Sequence, residues 1–175
     1  MAARVLSATV LALTVLALGA STASAAAPAD SSARALGVQV ALPGGEGDTA
    51  VSVSSPPERS TTAAGYSYGE WVSTGSLSAS SRAGGSTSRA SAGGSASVQA
   101  VSLFGGEITA DAVFVKATAQ ARGAGAEGSL RASSLSNLTV LGAPVAATPN
   151  ARVELGDWGY AIVLEQAVVR QTKGR

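Results

Sequence analysis

The stretch VSLFGGEITADAVFVKA, Val101 to Ala117, sets a Gly-Gly pair between two runs rich in β-branched and aromatic residues. Before the pair, apolar side chains fall on both parities, Val98, Ala100 and Phe104 against Val101 and Leu103, as in a strand covered on both faces. After it, Ile108, Ala110 and Ala112 alternate with Glu107, Thr109 and Asp111, the mark of a half-buried strand. The phase then changes, and Val113, Val115, Ala117, Ala119 and Ala121 oppose Lys116, Thr118 and Gln120. A one-residue slip would bury charge, so the pattern predicts a bulge or corner near Ala112-Val113. The glycines themselves read as a two-residue hairpin turn. A phosphate cradle needs a helix N-terminus and usually a Lys, and here Glu107 follows.

Outward from this hairpin the chain keeps the same grammar. Leu36, Val38, Val40 and Leu42 share one parity, as do Val51 and Val53, and the connector Pro43-Gly44-Gly45-Glu46-Gly47-Asp48 is dense in turn formers, so a hairpin is expected here. The prolines of SSPPERS (Ser54–Ser60) interrupt any ladder. GYSYGEWVS reads as one strand, with Tyr66 and Tyr68 on one face and Trp71 on the other. Short apolar runs with Gly and Pro between them continue to Arg170. Alanine makes 108–122 and 160–171 tolerable helices on propensity, but the concentration of Val, Ile, Thr and Phe favours strand. The fold expected is all-β: an antiparallel sandwich or elongated meander, with a β-solenoid as the alternative.

The first residues carry Arg4, an apolar run from Val5 to about Ala20 and the triplet Ala23-Ser24-Ala25, which together read as a signal peptide, 1–25, cleaved after Ala25. Residues 26–35 read as a disordered start, 36–170 as a single β domain, about 74–97 as a Ser/Gly-rich flexible segment within it, and 171–175 as a tail. Removing Arg4 from 12 Lys+Arg leaves 11 against 11 Asp+Glu, so no basic excess invites nucleic acid or an anionic membrane. Neither nucleic-acid binding nor membrane insertion after cleavage is expected.

The chain has no Cys, so an exported domain must hold by burial and backbone pairing alone. It also has no His, which removes Ser-His and Cys-His nucleophiles and HExxH zinc sites. The carboxylates Glu107 and Asp111, and Glu154, Asp157 and Glu165, are the groupings left for acid–base work, and on strands of this kind they read as a solvated face. The glycines of 123–128 match G-x-G-x-x-G without the helix or the acidic residue that a dinucleotide site requires. Gly44-Gly45-Glu46-Gly47-Asp48 is one residue short of a calcium nonapeptide and occurs once. Asn137-Leu138-Thr139 is a glycosylation sequon. No catalytic residue, metal or cofactor is expected. Tyr66, Tyr68 and Trp71 are the candidates for stacking on sugar rings, with Trp158 and Tyr160 as a lesser pair.

The segments VSLFGGEITADAV (101–113), SNLTVLGAPV (136–145) and PNARVELGDWGYAIVLEQAVV (149–169), in this order and spacing, resemble the choice-of-anchor P family of exported bacterial proteins. The resemblance covers roughly Gly65 to Arg170 and implies an extracellular module of unknown biochemical activity whose attachment device varies between members. It carries over no catalytic residue. Where the family has Asn-Gly after the L-T-V run, this chain has Leu141-Gly142, which weakens the type I′ turn signal. The function expected is a secreted or cell-surface structural or adhesive module with no enzymatic activity, its partner a cell-envelope polymer or another surface protein. An extracellular glycan-binding module using its aromatic side chains is the alternative, and a carboxylate-based hydrolase the third.

Overall fold

The computed structural model describes residues 31–41, 47–122, 125–157 and 159–167. Residues 1–30, with the expected signal peptide, residues 42–46 of the first connector, the start of the 123–128 glycine segment, Trp158 and residues 168–175 lie outside the described residues.

A first hairpin, β1 (Ala33–Val40) and β2 (Asp48–Ser55), forms a two-stranded layer of its own. From Arg59 onward one ten-stranded sheet is built from β3 (Arg59–Ala63), β4 (Tyr66–Tyr68), β5 (Val72–Thr74), β6 (Leu77–Ser86), β7 (Arg89–Leu103), β8 (Ile108–Arg122), β9 (Gly125–Ser129), β10 (Ser134–Ser136), β11 (Thr139–Val140) and β12 (Ala143–Pro144). A last hairpin, β13 (Ala151–Glu154) and β14 (Tyr160–Val163), stands as a third sheet. Every strand pair among the described residues is antiparallel. The solenoid alternative, which stacks parallel coils, is therefore not the architecture.

The spine is the β7–β8 hairpin, 15 residues in each strand, with pairing from Leu103↔Ile108 out to Arg89↔Arg122. Along β7 lie β5 and β6 end to end, and along β8 lie β9, β10 and β11. The β1–β2 layer covers β6 and β7. Past Ser81, where β3 stops pairing with β6, four strands continue as a projecting blade of β6, β7, β8 and β9. The opposite end runs out into a tip of hairpin turns.

The alternation that marks these strands is physical. Leu36, Val38 and Val40 are buried in β1, while Leu77, Ala79 and Ser81 are buried in β6. At the line joining Gly75, Ala100 and Asp111 the core-facing parity changes on three neighbouring strands at once, from Leu77 to Thr74, from Val98 to the partly buried Val101, and from Val113 to Ala110. Ala100 has a left-handed φ of 49°, and its pairing with Asp111 is missing from an otherwise unbroken register. The corner expected at Ala112-Val113 thus lies one residue earlier and belongs to the whole sheet. It re-aims side chains so that Val72, Leu77, Val98, Val101 and Leu103 all join one core cluster with Val38 and Val40. A second cluster under the tip gathers Ile108, Leu138, Val140, Leu155 and Val163.

Four expectations need correction. Residues 74–97 are not a flexible segment: they form β6 and most of β7. Their small side chains permit close layer packing, since a Cβ on Gly94 would lie 2.8 Å from the Arg34 carbonyl oxygen, and Ala79 and Ala96 are buried beneath Ala35 and Val53. Ser80 and Ser95 join their hydroxyls across the pair at 2.9 Å. Secondly, β1 starts at Ala33, inside the stretch read as disordered. Thirdly, GYSYGEWVS is not one strand but the β4–β5 hairpin, folded at Gly69, whose φ is 53°. Fourthly, the Gly105-Gly106 turn is the four-residue connection Phe104–Glu107, with φ of 54°, 68° and 98° at Phe104, Gly105 and Gly106.

Candidate functional site

Three turns meet at the tip, and the backbone ties them in a row. The Phe104 N–H donates to the Trp71 carbonyl at 2.7 Å, joining the β4–β5 turn to the β7–β8 turn, and the Leu141 N–H donates to the Glu107 carbonyl at 2.7 Å, joining the latter to the β11–β12 turn. Leu141 and Gly142 have φ of 51° and 77° between the paired Val140 and Ala143, so the type I′ geometry forms without the favoured Asn.

The three sugar-stacking candidates separate. Tyr66 and Tyr68 are half-buried and pack on the Val38, Val72 and Leu77 cluster, so they anchor the core. The Tyr66 hydroxyl donates to Asp48 Oδ2 at 2.9 Å. Desolvation, with the Asp48 carboxylate beside it, pushes the Tyr66 phenol up to about 12. Trp71, by contrast, is 52% exposed. Its ring meets Phe104 edge to face, centroids 6.3 Å apart at 75°, and a Cβ at Gly69 would stand 3.3 Å from its Cδ1. Leu141, 50% exposed, stands at the neighbouring turn. Phe104 and Leu141 are the members of this group that sequence reasoning missed, because what brings them to Trp71 is pairing between distant strands. The available signal was the glycine beside each of them.

Tyr160 and Ile162 form a smaller exposed pair on the outer face of the last hairpin, where the Arg152 guanidinium lies 3.9 Å above the Tyr160 ring and bonds Glu154 at 2.7 Å. Both ends of that ion pair are mostly exposed, so it contributes little to stability. Trp158 is outside the described residues.

The carboxylates are dispersed. Asp111 accepts from the Asn137 side chain of the sequon, Glu154 is held by Arg152, and Glu107, Asp157 and Glu165 are exposed at separate turns. Asp48, the last residue of the calcium-like segment, spends one oxygen on the Thr49 N–H and the other on Tyr66. Gly125 to Ser129 of the G-x-G-x-x-G segment is strand β9, so no helix N-terminus faces a phosphate there.

Two depressions lie on the surface of the described residues. One of about 600 Å³ lies between β2 and β3, lined by Ser52, Ser54, Glu58, Arg59 and Thr61 among others. One of about 340 Å³ lies on the polar face of the blade between Arg82 and Glu127. Both are open, the first chiefly polar and the second mixed, unlike the enclosed apolar clefts that bind small metabolites. No protein-family model matches this chain, and no curated protein or solved structure is similar to it.

Proposed function

We propose that this chain is a secreted or cell-surface structural or adhesive β module, working through its faces and edges rather than by catalysis. The observation that carries the reading is the construction of the surface. An open antiparallel sheet presents a polar face on the blade, where Arg82, Ser91, Thr118, Gln120, Glu127 and Ser129 lie, a strand edge along β9, which among the described residues pairs with β8 alone, and an exposed aromatic tip. Open edges and flat faces give affinity through many weak contacts, without a deep pocket. The leader-like first 25 residues and the resemblance to choice-of-anchor P proteins support a place outside the cytoplasm.

Fractionation of the producing cells tests the location. The mature chain, starting at Ala26, is expected in the envelope or the medium, and a full-length chain in the cytosol defeats the reading. Purified mature protein should co-sediment with isolated envelopes. The double variant Asp111→Asn, Glu165→Gln should co-sediment equally well, and a hydrolytic activity lost in that variant would favour the carboxylate enzyme instead.

A further inference from the structure

We propose that the tip is a saccharide-binding site whose platform is the Trp71 indole, and that its ligand is an uncharged pyranose unit of a polysaccharide. The inference rests on the reading of the chain as a surface-contact module and names the partner of one part of it. The C–H face of a pyranose is apolar and weakly positive, complementary to the negative face of an aromatic ring. Such a platform must be exposed and must not lose much freedom on binding. Trp71 meets both conditions: it is 52% exposed, its ring meets Phe104 edge to face, and Gly69 lies close enough that a Cβ there would stand 3.3 Å from the indole Cδ1.

The surrounding polar groups set the ligand class. Glu70 precedes the platform and Glu107 closes the adjoining turn, both exposed. Ionised carboxylates only accept hydrogen bonds, which suits the hydroxyls of a sugar. None of the residues of the three turns, Gly69–Trp71, Phe104–Glu107 and Leu141–Gly142, is Lys or Arg. Acidic polymers and anionic lipid surfaces are therefore repelled, and a neutral sugar is not. Zwitterionic lipid is opposed too, because seating Trp71 and Leu141 in a bilayer would draw the two carboxylates toward it.

The test uses the mature protein with Trp158→Phe, which leaves Trp71 as the sole indole of the 2 in the chain. Its fluorescence is titrated with neutral chito- and cello-oligosaccharides, with polygalacturonate, and with phosphatidylcholine vesicles. Co-sedimentation of the unmodified mature protein with insoluble chitin and cellulose gives a reading that does not depend on the Trp158 substitution. A saturable fluorescence response to a neutral oligosaccharide is expected, and in co-sedimentation the affinity for the insoluble polymer should fall about tenfold with Trp71→Ala and less with Glu70→Gln plus Glu107→Gln. Leu141→Ala should leave it unchanged, since an aliphatic side chain offers no ring to stack on. Absence of any response to the neutral sugars, or polymer co-sedimentation that survives Trp71→Ala undiminished, overturns the assignment, as does vesicle binding that falls with Leu141→Ala. If the sugars fail while envelopes still retain the protein, only the tip assignment is lost; if envelopes also fail, the adhesive reading goes with it.

Discussion

At one end of the β7–β8 hairpin the rows of the sheet read Ala83, Ala92, Ala119 and Gly128; at the other they read Val72, Leu103, Ile108 and Val140. Both ends belong to the same two strands, yet no aromatic residue stands in the blade, while Tyr66, Tyr68, Trp71 and Phe104 gather toward the tip. Burial stabilises by roughly 0.8 kcal/mol per methylene, so alanine rows add little apart from backbone pairing and the cover provided by β1 and β2. The tip has side chains to bury, and it uses them to hold turns that carry unfavourable dihedral angles. Small residues thus permit a thin, closely layered blade, and large ones support an irregular, exposed surface.

The largest effect should come at the junction between the two. Leu77 is 2% exposed and touches both β1 and β7 neighbours in the main cluster, so Leu77→Ala should cost about 3 kcal/mol, read as a lower denaturant midpoint. Gly94→Val should cost about 2 kcal/mol, because the added carbon meets the fixed backbone of Arg34 and β1 must lift. A blade indifferent to that change would mean that β1 does not rest on it.

Each region also contains one residue that works against stability. In the tip, Leu141 sits at a φ of 51°, a conformation that Asn tolerates better, and Leu141→Asn should raise stability by about 1 kcal/mol. At the root of the blade the Ser81 hydroxyl is buried with no hydrogen-bond partner among the described residues, and Ser81→Ala should gain about 1 kcal/mol or less. Tyr66 gives the smallest and most local signal. Its folded pKa lies above the ordinary value of 10, at about 12, so its contribution is complete below pH 10 and is lost as pH rises through about 12. Phenolate absorbance should show one tyrosine titrating late, and Asp48→Asn should bring it back toward 10.

What the sequence made legible follows the same division. Alternation in 36–42 and 108–122 is enough to assign strands, and the change of phase along β8 places the sheet's corner to within a residue. Composition misleads at 74–97, where Ser and Gly look like a linker; what orders them is a long partner strand on one side and a covering layer above, neither of which is a local property. Trp71 is visible as an aromatic outlier, but its neighbour Phe104 comes from 33 residues further along (104 − 71), and only the assembled sheet brings it, and the turn of Leu141 beyond it, to the same end of the molecule. The Tyr pair, named with Trp71 as a stacking candidate, packs half-buried against the core for a simple reason. A chain with 4% aromatic residues needs them inside.

The Ser55 hydroxyl accepts from the Ala83 N–H at 2.8 Å, at the point where β3 has ended and the margin of β6 would otherwise lie bare. An arriving molecule that tried to zip its own backbone along this border would find the donor at Ala83 already engaged by a cork from the layer above. Fibre growth is thereby hindered on this flank of the blade, and β9 forms its other flank.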